Sequence, residues 1–272
     1  MSTLVWLIGM AISFSVTMPV NACPPSDRAA LLAFKAGLHE PNLGIFKSWT
    51  GTDCCNKWYG ITCDSLTKRV ADINLRGESE DPIFQKAHRT GYMTGSISPA
   101  ICKLERLSSV IIADWKGISG IIPPCISSLP SLRILDLDLS LNRLTGPIPD
   151  SLGKMSVLGT LNLDGNLISG KLPATLINSR ISILNLSRNA IEGNIPDVFD
   201  SRSYFMVMDL SYNKLKGSIP KSISSASFIG HLDLSHNHLC GAIPAAEWFE
   251  HLEATSFMYN DCLCGKPLKA CS

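Results

Sequence analysis

Carboxylates and imidazoles are the side chains of this sequence whose spacing could support chemistry. Asp136 and Asp138 form a carboxylate pair, and His231, His236 and His238 lie close together in the sequence. A glycosidase needs two carboxyls at a set separation in a cleft that holds the sugar, and a shared metal ion needs ligands that converge on one point. The carboxylates recur instead along a regular, open face, and His238 follows a repeated asparagine that should turn it away from the other two. The chain carries neither G-x-x-x-x-G-K-[ST] nor G-x-S-x-G. The sequence therefore predicts a protein that is not an enzyme, with no catalytic residue, metal site or cofactor.

Thiols are the third reactive group, and their placement indicates a structural role. Of the ten cysteines, four lie near the start of the chain and four near its end. Disulfides persist in oxidising compartments, whereas the C-x₂-C pairs typical of zinc sites are absent. The cysteines therefore predict an exported protein with disulfides at both ends.

A repeat of about 24 residues explains where the remaining polar groups fall. Its asparagines, spaced 24, 23, 24 and 24 residues apart, are Asn142, Asn166, Asn189, Asn213 and Asn237. Each is followed by a glycine, at Gly146, Gly170, Gly193, Gly217 and Gly241, and then by a proline, at Pro149, Pro173, Pro196, Pro220 and Pro244. A period of roughly 20–30 residues built on L-x-x-L-x-L-x-x-N is typical of a leucine-rich-repeat solenoid. We expect one elongated α/β solenoid whose main function is to present a binding surface.

One repeat shows how the residues build this surface. Leu161 and Leu163 alternate with polar residues, which predicts a strand with one buried face. Asn166 ends the strand, and its amide can bond backbone groups from one repeat to the next. Gly170 allows an unusual φ or a close backbone approach, and Pro173 suits the first turn of a short helix.

The segment before the repeats divides into a leader and a cap. Residues 3–20 are apolar and uncharged, so residues 1–22 are predicted to be a secretory signal peptide; an uncleaved signal anchor is the alternative. No later stretch reaches the roughly 18 apolar residues needed to span a bilayer. Residues 24–37 predict a helix capped by Ser26, with Leu31 and Phe34 on one side, and Trp49 and Trp58 are expected to cover the open end of the solenoid.

Residues 64–76 should hold the first strand, at 70–75, and residues 77–94 a loop or hairpin. Degraded repeats around Gly95 and Gly120 precede the five clear copies, which gives about seven repeats within 65–244. The spacing from Pro123 to Pro149 is 26 residues, not 24. Two extra residues preserve the alternation of a strand, so we expect an irregular junction at 133–142, with a bulge or widened turn near 136–141, where two repeats are joined out of frame.

The consensus L-x-x-L-x-L-x-x-N-x-L-x-G-x-I-P resembles that of plant leucine-rich repeats. The segments CPPSDRAALLAFKAGL and SWTGTDCCNKWYGITC resemble the N-terminal cap of plant proteins of this class, at 23–64. The segment NHLCGAIP and the tail NDCLCGKPLKAC resemble the C-terminal cap of polygalacturonase-inhibiting proteins, here within 245–272. The resemblance implies a superhelix with a parallel concave sheet and disulfide-capped ends. The implied pairs are Cys23–Cys54, Cys55–Cys63, Cys240–Cys262 and Cys264–Cys271. Cys102 and Cys125 either form a fifth bridge or remain buried thiols.

The concave face should present a mildly acidic, hydroxyl-rich stripe, part of which is simply the repeat consensus. Partner-specific residues should lie where copies deviate from one another. The candidate protein-binding residues are Asp164, Arg188, Met206, Val207, Asp209, Tyr212, His231, Asp233 and His236. Asn185 begins the N-x-S glycosylation sequon on this face.

The net charge of +1, from 24 basic and 23 acidic residues, offers little of the phosphate neutralisation that nucleic-acid binding requires. The resemblance implies a secreted or cell-wall monomer that binds a protein, with inhibition of a microbial polygalacturonase in plant defence as the first hypothesis. A structural or signalling scaffold that binds a receptor ectodomain or wall polysaccharide is the second. The resemblance also extends to plant DNA-damage-repair/toleration proteins, which implies a stress role as the third.

Overall fold

The computed structural model describes residues 23–77, 91–245 and 251–271. The predicted signal peptide at 1–22 lies outside the described residues, as does most of the predicted loop at 77–94. The strands, in chain order, are β1 (Leu38–His39), β2 (Ile61–Cys63), β3 (Val70–Arg76), β4 (Tyr92–Ser96), β5 (Ser109–Ala113), β6 (Lys116–Gly120), β7 (Ile134–Asp138), β8 (Arg143–Gly146), β9 (Leu158–Asn162), β10 (Leu167–Lys171), β11 (Ile183–Asn185), β12 (Ala190–Gly193), β13 (Tyr204–Asp209), β14 (Lys214–Gly217), β15 (Phe228–Asp233), β16 (His238–Ala242) and β17 (Cys262–Cys264). The α-helices are α1 (Pro25–Ala36), α2 (Cys54–Lys57) and α3 (Ala174–Ile177), and short 3₁₀ helices cover Ile45–Ser48, Pro99–Lys103, Pro124–Ser128, Asp150–Lys154, Lys221–Ser225 and Ala254–Phe257.

The concave sheet contains one strand from each repeat. It has eight strands in the order β15-β13-β11-β9-β7-β5-β3-β2, and its seven repeat strands pair in parallel. The repeat strands of the described residues thus share one continuous sheet. Leu161 and Leu163 are fully buried, which confirms that the alternating leucines form the inner face.

A second sheet, which the sequence analysis did not predict, runs alongside the first. Its nine strands follow the order β1-β4-β6-β8-β10-β12-β14-β16-β17. Its repeat strands begin at or just after the repeated asparagine, and β4 occupies part of the segment that was predicted to be a loop. Gly170 in β10 has a φ of 84°, so the expected unusual backbone conformation is confirmed.

The repeated asparagines form a ladder between the two sheets. The Nδ2 of Asn166 donates to the carbonyl oxygens of Leu139 at 2.8 Å and Leu163 at 3.1 Å. Its Oδ1 accepts from the backbone amide of Leu144 at 2.9 Å. Because buried backbone groups must be hydrogen-bonded, one asparagine joins three neighbouring segments where the strand hydrogen bonds end.

The junction at 133–142 is irregular in both its strand register and its turn. The register between β7 and β9 shifts between Leu135 and Asp136, at the amino end of the predicted region. The turn after β7 is wider than the one before it: four residues, 139–142, connect β7 to β8, whereas two, Asp114 and Trp115, connect β5 to β6. It matches the turn that follows, since the amides of Leu139 and Leu141 donate to the next repeat at 3.0 and 2.7 Å, like their counterparts one repeat later. The extra length therefore lies in this turn.

The N-terminal cap closes the amino end of the core. Helix α1 buries Leu31 and Phe34 as predicted. The predicted Ser26 cap is wrong, because Pro24 occupies the N-cap position and the Ser26 hydroxyl donates to Asp27 at 3.3 Å. The rings of Trp49 and Trp58 stack with their centroids 5.3 Å apart, and both are buried.

Five disulfides stabilise the described chain. The four pairs implied by the resemblance are present, and Cys102–Cys125 forms a fifth with its Cα atoms 5.9 Å apart. That bridge links the consecutive 3₁₀ helices Pro99–Lys103 and Pro124–Ser128, so the bridged arrangement of these two cysteines is the correct one.

Candidate protein-binding surface

The first polar position of each repeat strand has a structural role. Asp138, Asn162, Asn185, Asp209 and Asp233 each accept a hydrogen bond from the backbone amide two residues later, at 2.9–3.4 Å. Such turns fix the chain where it leaves the sheet. These acidic side chains therefore stabilise the turn of each repeat, as their place in the repeat consensus suggested.

The hydroxyl groups of the predicted stripe are largely unavailable to a ligand. Ser211 is 3% exposed, and Ser187 and Ser235 are equally buried. The Ser211 hydroxyl donates to Asp209 at 2.7 Å. The expectation of a hydroxyl-rich binding stripe is wrong, because the tight turn draws these side chains inward.

The residue just before each ladder asparagine has a left-handed backbone conformation and forms what we call the left-handed column. Its members are Leu141, Gly165, Arg188, Tyr212, His236 and Tyr259, with φ between 52° and 65°. A positive φ costs a non-glycine residue roughly 1–2 kcal/mol. Only the turn hydrogen bonds and the ladder hold such residues in this conformation, and the side chains project from a rigid edge.

The last four members of the column form a continuous stack. The ring centroids of Tyr212 and His236 are 3.9 Å apart, and those of His236 and Tyr259 are 4.2 Å apart. The Arg188 guanidinium carbon lies 5.4 Å from the centroid of the Tyr212 ring, and its Nη1 lies 3.1 Å from an oxygen of Asp164. The hydrogen bond to Asp164 raises the pKa of Arg188 above its ordinary value. Successive repeats thus line up a carboxylate, a guanidinium and three rings.

Tyr259 is the member that the sequence analysis missed. It is 67% exposed, against 46% for Tyr212. It precedes Asn260, which lies 23 residues after Asn237 and continues the ladder through hydrogen bonds to Leu234 and Leu239 at 3.0 Å. The spacing alone could have identified this further copy within the predicted cap.

The predicted residues are spread along the concave face from the amino ends of the strands to the turns that follow them. Met206 is 54% exposed near the amino end of β13, whereas Tyr212 follows its carboxyl end. Six residues of extended chain span about 20 Å. Val207 lies opposite His231, and Asp209 lies opposite Asp233, on neighbouring strands between these ends.

Two exposed rings beside Met206 were also missed. Tyr204 and Phe228 stack with their centroids 5.3 Å apart and occupy matching positions on β13 and β15. They begin their strands, before the consensus motif, so the comparison of consensus positions did not include them.

The groups that could have suggested catalysis or metal binding have other partners. Asp136 lies 2.8 Å from the Arg76 guanidinium. His236 is stacked between rings, and the Nδ1 of His238 lies 3.1 Å from Asp261. Among the described residues, the one cluster with metal-like spacing is Cys54, Cys55 and Cys63, whose sulfurs are all in disulfides.

The sequon asparagine is partly buried. The Oδ1 of Asn185 accepts from the Ser187 amide at 3.1 Å and from its hydroxyl at 2.7 Å. Glycosylation of Asn185 therefore remains a prediction.

Three leucine-rich-repeat models match parts of the chain: the N-terminal domain model at residues 24–64 and two repeat models at 131–155 and 179–239. A DNA damage-repair/toleration protein of Arabidopsis thaliana is 63% identical over 130 residues, which cover 47% of this chain and 35% of the relative. A polygalacturonase inhibitor of Vitis vinifera is 33% identical over 116 residues, which cover 42% of this chain and 30% of the relative.

Among solved structures, Pollen Receptor Kinase 3 aligns with a TM-score of 0.58 and 28% identity, covering 89% of this chain and 98% of that chain. The matched segments span about a third of the length of the two curated relatives. Within the described ranges, no helix is long and apolar enough to cross a membrane.

Proposed function

Because the chain is a leucine-rich-repeat protein, we propose that it acts by binding another protein on its concave face, without catalysing a reaction. The observation that carries this proposal is the stacked part of the left-handed column, from Arg188 to Tyr259. Tyrosine and arginine are enriched among the residues that contribute most to protein–protein affinity. An exposed row of such side chains on a rigid edge is suited to this use.

The stack also lowers the entropic cost of binding. A flexible side chain loses roughly 0.5–1.5 kcal/mol when an interface immobilises it. The rings of Tyr212, His236 and Tyr259 already restrict one another at centroid distances near 4 Å. A partner would therefore meet a surface whose side chains are largely ordered before it arrives.

The first candidate partner is a secreted polygalacturonase of a plant pathogen. The similarity to the Vitis vinifera polygalacturonase inhibitor supports this candidate. Five disulfides support export to the cell wall or extracellular space, where such an enzyme acts. Two alternatives remain: a scaffold for a receptor ectodomain or wall polysaccharide, and a role in stress or DNA-damage toleration like that named for the Arabidopsis thaliana relative.

Inhibition tests the first candidate directly. The secreted, oxidised protein is mixed at equimolar and tenfold excess with a panel of fungal polygalacturonases, and the release of reducing sugar is followed. We expect at least one enzyme to be slowed in proportion to the amount of protein added. The proposal fails for this partner class if no enzyme in the panel is slowed.

A matched pair of variants tests whether the concave face is the binding surface. The combined substitution Tyr212→Gly, His236→Gly and Tyr259→Gly removes the stacked rings while keeping the left-handed backbone favourable. The control, Lys214→Ala with Lys216→Ala, changes exposed residues of β14 on the second sheet. We expect the first variant to lose inhibition and the second to retain it; equal loss in both would reject the concave face as the binding surface.

The alternatives give different results. Capture of a receptor ectodomain with no effect on any polygalacturonase, abolished by the same three glycine substitutions, would support the scaffold. Nuclear or chloroplast accumulation of the tagged protein would favour the toleration role and contradict export.

A further inference from the structure

A groove opens at the amino ends of three neighbouring strands, at the edge of the concave sheet opposite the left-handed column. Its volume is about 830 Å³. It is bordered by the segments that precede β9, β11 and β13, and its lining includes Lys154, Arg180, Arg202 and Tyr204. Each of the three cations comes from a different repeat, so the groove runs across three stacked repeats.

Two of these cations are uncompensated. Within the part of the chain that the structure describes, Lys154 and Arg180 have no carboxylate within ion-pair distance, and both are exposed. Arg202 is paired with Asp200, with its Nη2 2.7 Å from Oδ2. The hydrogen bonds from Arg202 lower the pKa of Asp200, so that pair stays ionised and neutral overall. The groove therefore carries a net positive charge, whereas the strand ends on the far edge carry the acidic stripe.

The groove has an apolar patch within a lining that also includes polar side chains, at Ser156, Thr175, Asn178 and Ser179. Met155 is buried, and Ala174 and Val198 complete the apolar part of the lining. Arg180, before β11, and Tyr204, at the start of β13, both line the groove. The Tyr204 ring is fixed by its stacking on Phe228, so the wall of the groove is ordered.

This combination identifies the ligand by its chemistry. Cations at the rim pair with carboxylates, and the apolar patch takes an apolar side chain. We propose that the groove is a second binding site, separate from the concave face, for a peptide segment that carries a large apolar side chain flanked by carboxylates. An acidic oligosaccharide would satisfy the cations but would leave the apolar patch without an apolar partner. The hydroxyls of Thr175 and Ser179 also already donate to the carbonyl oxygens of Asp150 and Leu176, at 2.7 and 2.6 Å.

Peptide selection on the full secreted chain tests the proposal. Phage-displayed random dodecamers are selected on the wild-type protein and on the double variant Lys154→Ala with Arg180→Ala. Exposed substitutions of this kind usually change stability little, and equal melting temperatures confirm that the variant is folded. The charge-matched control is Lys214→Ala with Lys216→Ala.

We expect wild type and control to enrich the same acidic peptides with an apolar residue, and the groove variant to bind the best of them at least tenfold more weakly. Tyr212→Gly should bind it as wild type does, which separates failure of this site from failure of the concave face. The proposal is overturned if no peptide depends on the groove cations, or if the enriched peptides are not acidic. It is also overturned if oligogalacturonate binds more tightly than any peptide and loses affinity in the groove variant, because the groove would then be a site for acidic sugars.

Discussion

Replacement of Asn213 by alanine should destabilise the middle of the solenoid more than any exposed polar substitution. Its Nδ2 donates to the carbonyl oxygens of Leu186, Leu210 and Ser211 at 2.9, 3.2 and 3.1 Å, and its Oδ1 accepts from the Ile191 amide at 3.0 Å. Asn213 is buried, so water cannot replace these bonds without opening the repeat.

The expected magnitude follows from which partners are left unpaired. All three carbonyls keep another donor: Asn189 for Leu186, Asn237 for Leu210, and the Arg188 amide for Ser211. Among the described residues, Asn213 is the one side chain that accepts from the Ile191 amide, and alanine cannot replace that acceptor. One buried unsatisfied donor costs about 1–3 kcal/mol, and a lost hydrogen bond about 1 kcal/mol. We expect a loss of about 3 kcal/mol in the free energy of unfolding.

Two comparisons make the measurement specific. Asn213→Asp keeps the acceptor but turns a carboxylate oxygen toward the carbonyls, so it should destabilise at least as much as alanine. Asn194→Ala, in the neighbouring loop, changes an exposed asparagine and should cost less than about 0.5 kcal/mol.

Urea unfolding of the oxidised protein gives the global effect. Hydrogen exchange of the peptide containing Ile191 gives the local one, and it does not depend on two-state behaviour. A loss below about 1 kcal/mol for Asn213→Ala, with unchanged exchange at Ile191, would refute the view that the ladder holds the two sheets together.

Three further predictions test other parts of the fold. Tyr212→Ala should be less stable than Tyr212→Gly by about 1 kcal/mol in urea unfolding, since only glycine relieves the left-handed strain; the usual order, with alanine the more stable, would contradict the assigned φ. Asp27 is 1% exposed and binds Arg69 at 2.9 Å. Asp27→Ala should therefore lower the free energy of unfolding by about 3–5 kcal/mol, because it leaves the guanidinium unpaired. A urea midpoint close to that of wild type would count against that pairing. Replacing Cys102 and Cys125 together by serine should lower the free energy of unfolding by about 2–4 kcal/mol, and an unchanged midpoint would mean that the bridge contributes nothing.

The period of the sequence was sufficient to predict the repeat strands and the buried leucines. Leu161 and Leu163 both fall on the inner face because side chains along a strand alternate between its two faces. Once one face is buried, the leucines two residues apart must lie on it together. The cap followed from large aromatic side chains, which an open solenoid end needs, and Trp49 and Trp58 do cover that end.

Features that depend on contacts between repeats were not predictable in the same way. The second sheet forms because ladder asparagines bring the following segments close enough to pair, although those segments show no strong alternation of their own. Tyr204 and Phe228 meet only because the register aligns them, and Cys102 could be paired with Cys125 only when the coil-to-coil distance was fixed.

The sequence by itself thus determined the solenoid, its phase and the chemistry available at each position, because a repeated pattern of leucine and asparagine leaves one way to bury the core. The tertiary structure decided which side chains face a partner. The exposed stack from Arg188 to Tyr259 exists because turn hydrogen bonds hold one residue per repeat at positive φ. Stacking then aligns side chains that lie 23 or 24 residues apart in the sequence, a distance at which only the packing of one repeat on the next can bring them into contact.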